Sequence, residues 1–249
     1  FIIFDKRKEF ISLSKSQIIE ISNRNNIGCD QVIFIDKDDA NNIFLKFYNS
    51  DGGEISACGN GSRCVAYLLM KENNNRNISL RTKAGILQAE LNNKNLVSIN
   101  IGEPNFEWNK IPLSKKIDNK NLKIKIKNNE GKEVKGGFSL SVGNPHVVFF
   151  VDDLNKFNLE EIGPKLENHN YFPEKCNVTL AKIKNKKHVI VKVWERGAGI
   201  TKACGTAACA AAVAGAALML NEKKIDIEFS EGLLNIDWKS DNHIYMTGK

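Results

Sequence analysis

Two short segments of this chain are apolar or small nearly all the way round a helix, and each follows the same three residues, "ACG". They are "CVAYLLM", after "ACGNGSR", and "CAAAVAGAALML", after "ACGTAA". A helix on a protein surface keeps a polar face, whereas a helix that is apolar on all sides must be enclosed by other structure. The sequence therefore predicts two central helices, each enclosed by other structure.

Strands dominate the remainder of the chain. Apolar and polar residues alternate in "LVSINIG", "LKIKIK" and "HVIVKVW", which is the pattern of half-buried strands. Two further helices are expected: "SKSQIIEISNRN", with Ser14 or Ser16 as N-cap, and the surface segment "LEEIGPKLENH", broken by Gly163 and Pro164. This mixture predicts an α/β (α+β) fold.

A weak internal repeat divides the chain into two similar halves. "DGGEISACGNGSRC" aligns with "GAGITKACGTAAC" on Cys58 and Cys204, and each follows an apolar strand, "NIFLKFYN" or "HVIVKVWE". We expect a domain over residues 1–103 carrying Cys58 and a second over 104–249 carrying Cys204, with the option that the last strands return to the first domain. A pseudo-twofold arrangement would bring the two helix N-termini face to face across a cleft.

Composition argues against several classes of protein. The net charge is +7, but the lysines are scattered among asparagines, which favours a solvated basic surface over nucleic-acid binding. No apolar run reaches membrane-spanning length and no signal peptide is recognisable, so a cytoplasmic protein without a membrane partner is expected. The six cysteines form no CxxC pair, which predicts thiols and no metal site.

Cys58 and Cys204 each stand where a helix begins. Unsatisfied N–H groups and the positive end of the helix dipole stabilise a thiolate there, so a lowered thiol pKa is expected. The same N–H groups bind anions, and the short residues after each cysteine let a carboxylate approach the backbone. Two such ends would grip one carboxylate from two sides.

This pairing suits inversion of an amino acid at its α-carbon. One thiolate removes the α-proton, a thiol on the opposite face returns one, and backbone donors stabilise the charge that spreads onto the carboxylate. The two sulfurs should then lie roughly 6 to 7 Å apart across the carbon, and oxidation to a disulfide would abolish activity. The other four cysteines, Cys29, Cys64, Cys176 and Cys209, are expected to pack as small apolar residues.

Six motifs follow one another over nearly the whole chain: "CDQ" at 29–31, "YNSDGGEISACGNGSRC" at 48–64, "GNPH" at 143–146, "CNV" at 176–178, "WERGAG" at 194–199 and "ACGTAAC" at 203–209. In this set and order the residues resemble the diaminopimelate epimerase family. The resemblance implies two pseudo-symmetric domains, each a curved, mostly antiparallel sheet wrapped round a central helix. It also implies pyridoxal-independent interconversion of LL- and meso-diaminopimelate, for lysine and peptidoglycan precursors, with no cofactor, and it suggests a homodimer.

Carried over by motif, the resemblance assigns the residues of the site. It makes Cys58 and Cys204 the two acid/base catalysts, with His146 near the first thiol and Glu195 near the second. The implied substrate contacts are the side chains of Gln31, Asn49, Asn144, Asn177, Glu195 and Arg196 and the backbone N–H groups of Gly59, Asn60, Gly205 and Thr206. Arg196 is expected to bind the distal carboxylate, because its fork of donors suits that geometry.

Three alternatives remain open at this point. A proline racemase-like isomerase of the same fold would also use two cysteines. A non-catalytic amino-acid-binding relative is the second, because the asparagine-containing loop that family members carry before the segment "FIIFD" does not precede it in this sequence. A redox switch formed by Cys58 and Cys204 is the third, although the expected sulfur separation exceeds ordinary disulfide reach.

Overall fold

The computed structural model of the chain describes residues 1–7 and 9–249, which form two compact units. Unit 1 comprises Phe1–Asn100 with Gly248–Lys249, and unit 2 comprises Ile101–Thr247. The helices are α1 Lys15–Ser22, α2 Gly59–Glu72, α3 Leu159–Glu167 and α4 Gly205–Ala217. The strands are β1 Ile2–Asp5, β2 Gln31–Lys37, β3 Ile43–Asn49, β4 Glu54–Ile55, β5 Asn77–Thr82, β6 Gly85–Leu91, β7 Val97–Gly102, β8 Ile124–Lys127, β9 Glu133–Gly136, β10 Phe138–Ser141, β11 Pro145–Phe150, β12 Asn177–Asn185, β13 His188–Glu195, β14 Gly199–Thr201, β15 Lys224–Phe229, β16 Gly232–Trp238 and β17 Ile244–Gly248.

Both units are built on a mostly antiparallel sheet. In unit 1 the strand order is β1-β2-β3-β5-β6-β7, with β4 on the same edge of β3 as β5. In unit 2 the order is β17-β16-β15-β13-β12-β11-β10, with β14 paired to β13, and β8 and β9 form a separate hairpin. Among the described residues no helix is both long and apolar enough to cross a membrane.

The strand order confirms the repeat that the sequence predicts. In unit 1, β3 pairs antiparallel with β2 and β4 and parallel with β5, and α2 lies between β4 and β5 in the chain. In unit 2, β13 pairs antiparallel with β12 and β14 and parallel with β15, and α4 lies between β14 and β15. The two helices that begin after a cysteine therefore occupy equivalent places: α2 follows the short strand β4, and α4 follows the short strand β14.

Helix α4 is the central helix of unit 2, as expected. Every residue from 207 to 215 is buried, and the helix contacts β10, β11, β12, β13, β15 and β16. Alanine, glycine and a single valine make up most of its length, so the strands approach its main chain closely. The apolar cluster round it includes Leu140, Val191, Ile227 and Ile236.

Helix α2 differs from the prediction on one face. Val65, Ala66, Leu69 and Met70 are buried, but Leu68 is 49% exposed, and Tyr67 beside it is also exposed. The prediction that this helix is enclosed on all sides was therefore wrong. The physical reason is that the helix contacts β2, β5 and β6, which cover one side of it.

Helix α1 begins where the sequence indicates. Ser14 is its N-cap: the Gln17 backbone N–H donates to Ser14 Oγ at 3.3 Å, and the Ser14 backbone N–H donates to Gln17 Oε1 at 2.8 Å. This reciprocal pair is a capping box, which satisfies two backbone donors at the helix start. Of the two candidates, Ser14 is thus the cap and Ser16 is not.

Helix α3 corrects the expectation that Gly163 and Pro164 break the segment. The helix runs without a break from Leu159 to Glu167 and includes both residues. Pro164 removes one backbone donor, but packing of the buried face holds the helix together: Leu159, Gly163, Leu166 and Glu167 are all buried. At Gly163 a Cβ would lie 2.5 Å from the Trp194 ring, so glycine is required by a close approach and does not mark a break.

Candidate active site

Cys58 is the N-cap of α2 in unit 1. Its φ and ψ are extended, at −141° and 114°, and the Gly61 backbone N–H donates to Cys58 Sγ at 3.3 Å. The first N–H groups of any helix lack intrahelical acceptors, and the first turn of α2 contains no acidic side chain. The start of this helix therefore offers backbone donors and a favourable field to an anionic group.

Two polar side chains of unit 1 lie together at the ends of neighbouring strands. Gln31 and Asn49 are register partners on β2 and β3, and Gln31 Nε2 donates to Asn49 Oδ1 at 3.1 Å. Within the described part of the chain, Gln31 Oε1 and Asn60 Oδ1 are buried side-chain oxygens without a hydrogen-bond donor. Buried acceptors of this kind are costly in a fold unless a ligand or water satisfies them.

Cys204 is the N-cap of α4 in unit 2, with φ −138° and ψ 115°, close to the values at Cys58. The Cys204 thiol lies 3.5 Å from Thr206 Oγ1, and the first turn of α4 also lacks an acidic side chain. The two cysteines thus occupy the same backbone position at the start of equivalent helices. Gly205 and Thr206 follow Cys204 as Gly59 and Asn60 follow Cys58.

Glu195, the last residue of β13, acts directly on the Cys204 thiol. Burial, and secondly the charge and hydrogen bonding of Glu195, raise the pKa of Cys204 well above its usual range. The expectation of a lowered pKa is therefore wrong for this cysteine, because desolvation outweighs the helix end. Thr201 Oγ1 donates to Glu195 Oε1 at 2.5 Å and so fixes the carboxylate.

A chain of polar contacts in unit 2 joins His146 to the same helix start. His146 Nε2 is 2.9 Å from Asn144 Oδ1, and Asn144 Nδ2 donates to Thr206 Oγ1 at 3.4 Å. Because Asn144 Oδ1 can only accept, His146 Nε2 carries the proton and Nδ1 is the accepting nitrogen. Nδ1 is buried and has no partner among the described residues. His146, Asn144 and Thr206 thus form one polar group beside Cys204.

His146 is neutral at ordinary pH. The side chain is fully buried, and burial, with a smaller effect of the Arg196 charge, lowers its pKa from 6.5 to about 3. A neutral imidazole with so low a pKa is a weak base, so it is better suited to form hydrogen bonds than to accept a proton during the reaction.

The His146 environment predicts acid sensitivity. The folded pKa lies below the unfolded value, so unfolding takes up a proton between pH 6.5 and about 3, and the free energy of unfolding should fall as pH falls through that window. His146→Gln removes this titration, so the loss between about pH 7 and about pH 4 in urea unfolding should be smaller than in the unmodified protein. Equal losses in both proteins would contradict the assignment.

Arg196 and Asn177 are both held by the main chain. The Asn177 side chain donates to Pro145 O at 3.1 Å and accepts from the Arg196 backbone N–H at 3.0 Å, whereas Arg196 Nη1 donates to Glu174 O at 2.9 Å. Asn177 therefore supports Arg196 structurally, a role that the sequence analysis did not assign to it. Arg196 itself is exposed.

Two residues near this group were missed by sequence analysis. Thr201 follows an exposed Ile200 in a three-residue strand and offers no pattern beyond its position three residues before Cys204. Glu167 lies in the segment expected to be a surface helix, yet it is buried and accepts hydrogen bonds from Trp194 and Gly197. A charged residue in an amphipathic segment is normally predicted to face solvent, so no feature of the sequence indicated that Glu167 is buried.

Comparison with solved structures defines the fold class. A phenazine biosynthesis protein of the PhzF family from Bacillus anthracis matches with a TM-score of 0.63 and 16% identity, covering 95% of this chain and 86% of that one. A hydroxyproline epimerase from Agrobacterium vitis matches with a TM-score of 0.62 and 12% identity, covering 93% and 77%. At these identities the likeness concerns the fold alone, and it confirms the expected α/β fold class.

Sequence comparison is more specific. The family model described as diaminopimelate epimerase matches residues 1–107 and 138–249. The diaminopimelate epimerase of Pelagibacter ubique is 52% identical over 248 residues, covering all of this chain and 90% of the relative, and that of Acidiphilium cryptum is 40% identical over 249 residues, covering 100% and 88%. The chain is thus an enzyme of the isomerase class. It belongs to the diaminopimelate epimerase family.

Proposed function

We propose that this chain interconverts LL- and meso-diaminopimelate by a two-base proton transfer in which Cys58 and Cys204 are the acid/base catalysts. The observation that carries the proposal is the duplicated helix start: Cys58 and Cys204 are N-caps of equivalent helices and have nearly the same φ and ψ. Both cysteines lie in the residues that match the diaminopimelate epimerase family. The reaction would serve lysine and peptidoglycan precursor synthesis in the cytoplasm, without pyridoxal phosphate or another cofactor.

The helix starts supply the stabilisation that such a reaction needs. Loss of the α-proton spreads negative charge onto the substrate carboxylate, and donors aimed at that charge lower the barrier. Backbone N–H groups of Gly59, Asn60, Gly205 and Thr206 are available in the two first turns, where no acidic side chain competes for them. We assign the carboxylate on the reacting carbon to these groups.

Glu195 and Cys204 form one acid/base pair of the proposed mechanism. Burial and the Glu195 carboxylate hold the Cys204 thiol protonated, which suits it to deliver a proton to the α-carbon. In the reverse direction the thiol must first lose its proton, and Glu195 is the adjacent carboxylate that can accept it. The family resemblance pairs His146 with the Cys58 thiol, and the neutral, buried imidazole would serve that thiol through its accepting Nδ1.

The remaining polar residues suit a zwitterionic substrate with two ends. Gln31 Oε1 and Asn60 Oδ1 are buried acceptors without donors among the described residues, and an ammonium group would satisfy such atoms. Arg196, whose backbone is fixed by Asn177, presents a guanidinium suited to the distal carboxylate. A small apolar amino acid such as proline has no second charged end, so these residues favour diaminopimelate over the proline racemase alternative.

The test is proton NMR of meso-diaminopimelate with the reduced protein in deuterated water. We expect loss of the α-proton signal together with appearance of the LL isomer, because the returning proton comes from a thiol that exchanges with solvent. Proline under the same conditions is the comparison substrate and should show no exchange. Absence of exchange with diaminopimelate would contradict the proposal and favour a non-catalytic binding protein.

A further inference from the structure

Glu167, the last residue of α3, is a buried carboxylate with an unusual set of partners. It is 5% exposed, Trp194 Nε1 donates to its Oε2 at 2.7 Å, and the Gly197 backbone N–H donates to its Oε1 at 3.0 Å. Lys175 Nζ lies 3.7 Å from Oε1. Both oxygens are therefore engaged, and a cation offsets part of the charge.

The chemistry of these contacts requires a carboxylate. Trp194 and Gly197 both present N–H donors, and each reaches a different oxygen of Glu167, so a side chain that keeps both bonds in this geometry must accept on both atoms. Glutamine would accept on one atom and turn its NH₂ group against a second N–H. A buried charge is costly to a fold, and its presence here is accounted for by two donors that no neutral side chain of this length satisfies together.

The two anchored residues flank the proposed site residues. Trp194 precedes Glu195, and Gly197 follows Arg196, so Glu167 fixes both ends of a stretch whose two central residues carry the proposed chemistry. The Trp194 ring packs directly over Gly163 of the same helix, where no side chain intervenes. Helix α3 thus holds the stretch by one aromatic contact and two hydrogen bonds.

We propose that Glu167 is a positioning residue that fixes residues 194–197 and thereby orients the Glu195 carboxylate and the Arg196 guanidinium. The inference rests on the proposed function, since Glu195 and Arg196 take their roles from it. Glu167 touches neither substrate nor thiol in this scheme and acts through Trp194 and Gly197. A misplacement of catalytic groups by about 1 Å can cost 10²-fold in rate, so the effect should be measurable.

The first test compares Glu167→Gln with Leu159→Val. Leu159 is buried in the same helix about two turns earlier, and its side chain makes no hydrogen bond, so its truncation weakens α3 without removing either hydrogen bond of Glu167. We expect Glu167→Gln to reduce kcat/KM at least about 10-fold, with KM raised through Arg196 and kcat lowered through Glu195. Leu159→Val should stay within about twofold of the unmodified enzyme at a similar loss of thermal stability. If the two variants share the same kinetics, the positioning role is wrong.

A double variant separates positioning from general stability. In Glu167→Gln with Trp194→Phe, the indole donor is absent, so the glutamine can accept from Gly197 while its NH₂ group faces no opposing donor. We expect the double variant to have a higher kcat/KM than Glu167→Gln alone, although it carries more changes. A purely structural role predicts the opposite order, and that order would overturn the proposal.

Hydrogen exchange at the Gly197 amide and the Trp194 indole N–H provides a readout that does not depend on activity. Both groups donate to a buried carboxylate, so both should exchange slowly in the unmodified protein and in Leu159→Val, and at least one of them should exchange faster in Glu167→Gln. If the unmodified enzyme epimerises no diaminopimelate, the proposed function fails while this measurement still decides the anchoring. Unchanged exchange of both N–H groups in Glu167→Gln would overturn the inference even in a fully active enzyme.

Discussion

Replacing Cys204 or Cys58 with serine should reduce epimerisation of diaminopimelate by about 10²- to 10⁴-fold, the usual contribution of a positioned acid or base. A serine hydroxyl is a far weaker acid than a thiol and cannot exchange protons with the α-carbon at a comparable rate. The measurement is kcat in both directions, together with deuterium incorporation. Turnover close to normal in either variant would exclude the two-base mechanism.

The fold should survive both substitutions. Serine is a preferred N-cap residue, and at position 58 its oxygen can accept the Gly61 N–H that Cys58 Sγ accepts now. Urea unfolding of Cys58→Ser should therefore give a midpoint equal to or above that of the unmodified protein. Cys209→Ala, five residues into α4 and fully buried, is the matched control: it should cost stability through a small cavity and leave kcat within about twofold.

Replacing Gly163 with alanine should destabilise the protein by about 1–3 kcal/mol, the usual cost of overpacking. In an ordinary helix interior the same change is favourable by about 1 kcal/mol, because alanine is the better helix former. Here the new Cβ would lie 2.5 to 2.7 Å from Trp194 Cδ2, Cγ and Cε3, and the hydrogen bond to Glu167 restrains that ring. The sign of the effect therefore tests the close packing of α3 on Trp194.

Urea unfolding measures the change directly, with Gly232→Ala as control. Apart from Gly232 and its two chain neighbours, no heavy atom of the described residues lies within 4 Å of the position that a Cβ at Gly232 would take, so that variant should unfold at the same urea concentration as the unmodified protein. A Gly163→Ala protein as stable as the unmodified one would show that Trp194 can move away at little cost. In that case Glu167 could not hold the ring as tightly as the contacts indicate.

Much of the fold follows from local patterns in the sequence. Alternation in "LVSINIG" and "HVIVKVW" predicted β7 and β13, and the two N-cap candidates, Ser14 and Ser16, predicted the start of α1 to within two residues. The repeat round Cys58 and Cys204 predicted that a strand, a loop and a helix that starts at a cysteine recur in the same order in each half, and the structure has this order. These features depend on residues close together in the chain.

The errors arise where distant contacts decide. Pro164 does not break α3, because packing of the buried face holds the helix together. The pKa of the Cys204 thiol is raised, whereas its place at a helix start predicted a lowered pKa, because burial and the Glu195 carboxylate outweigh the effect of the helix. Glu167 is 27 residues away from Trp194 in sequence, and hydrogen bonds from an indole and a backbone N–H to a carboxylate produce no repeating pattern in the sequence that could predict them.

The alanine-rich composition of α4 has a mechanical consequence. Between residues 207 and 212 no side chain extends beyond a β-carbon or a single sulfur, and all are buried, so neighbouring strands rest against the helix backbone itself. Because such a helix has no long side chains that could change rotamer, a shift of the helix along its axis would bring its backbone into collision with the strands. Cys204 Sγ can then change position only by rotation about its own χ1 or together with the surrounding sheet. Residues 207–212, which carry almost no functional groups, therefore keep the Cys204 thiol in a fixed position.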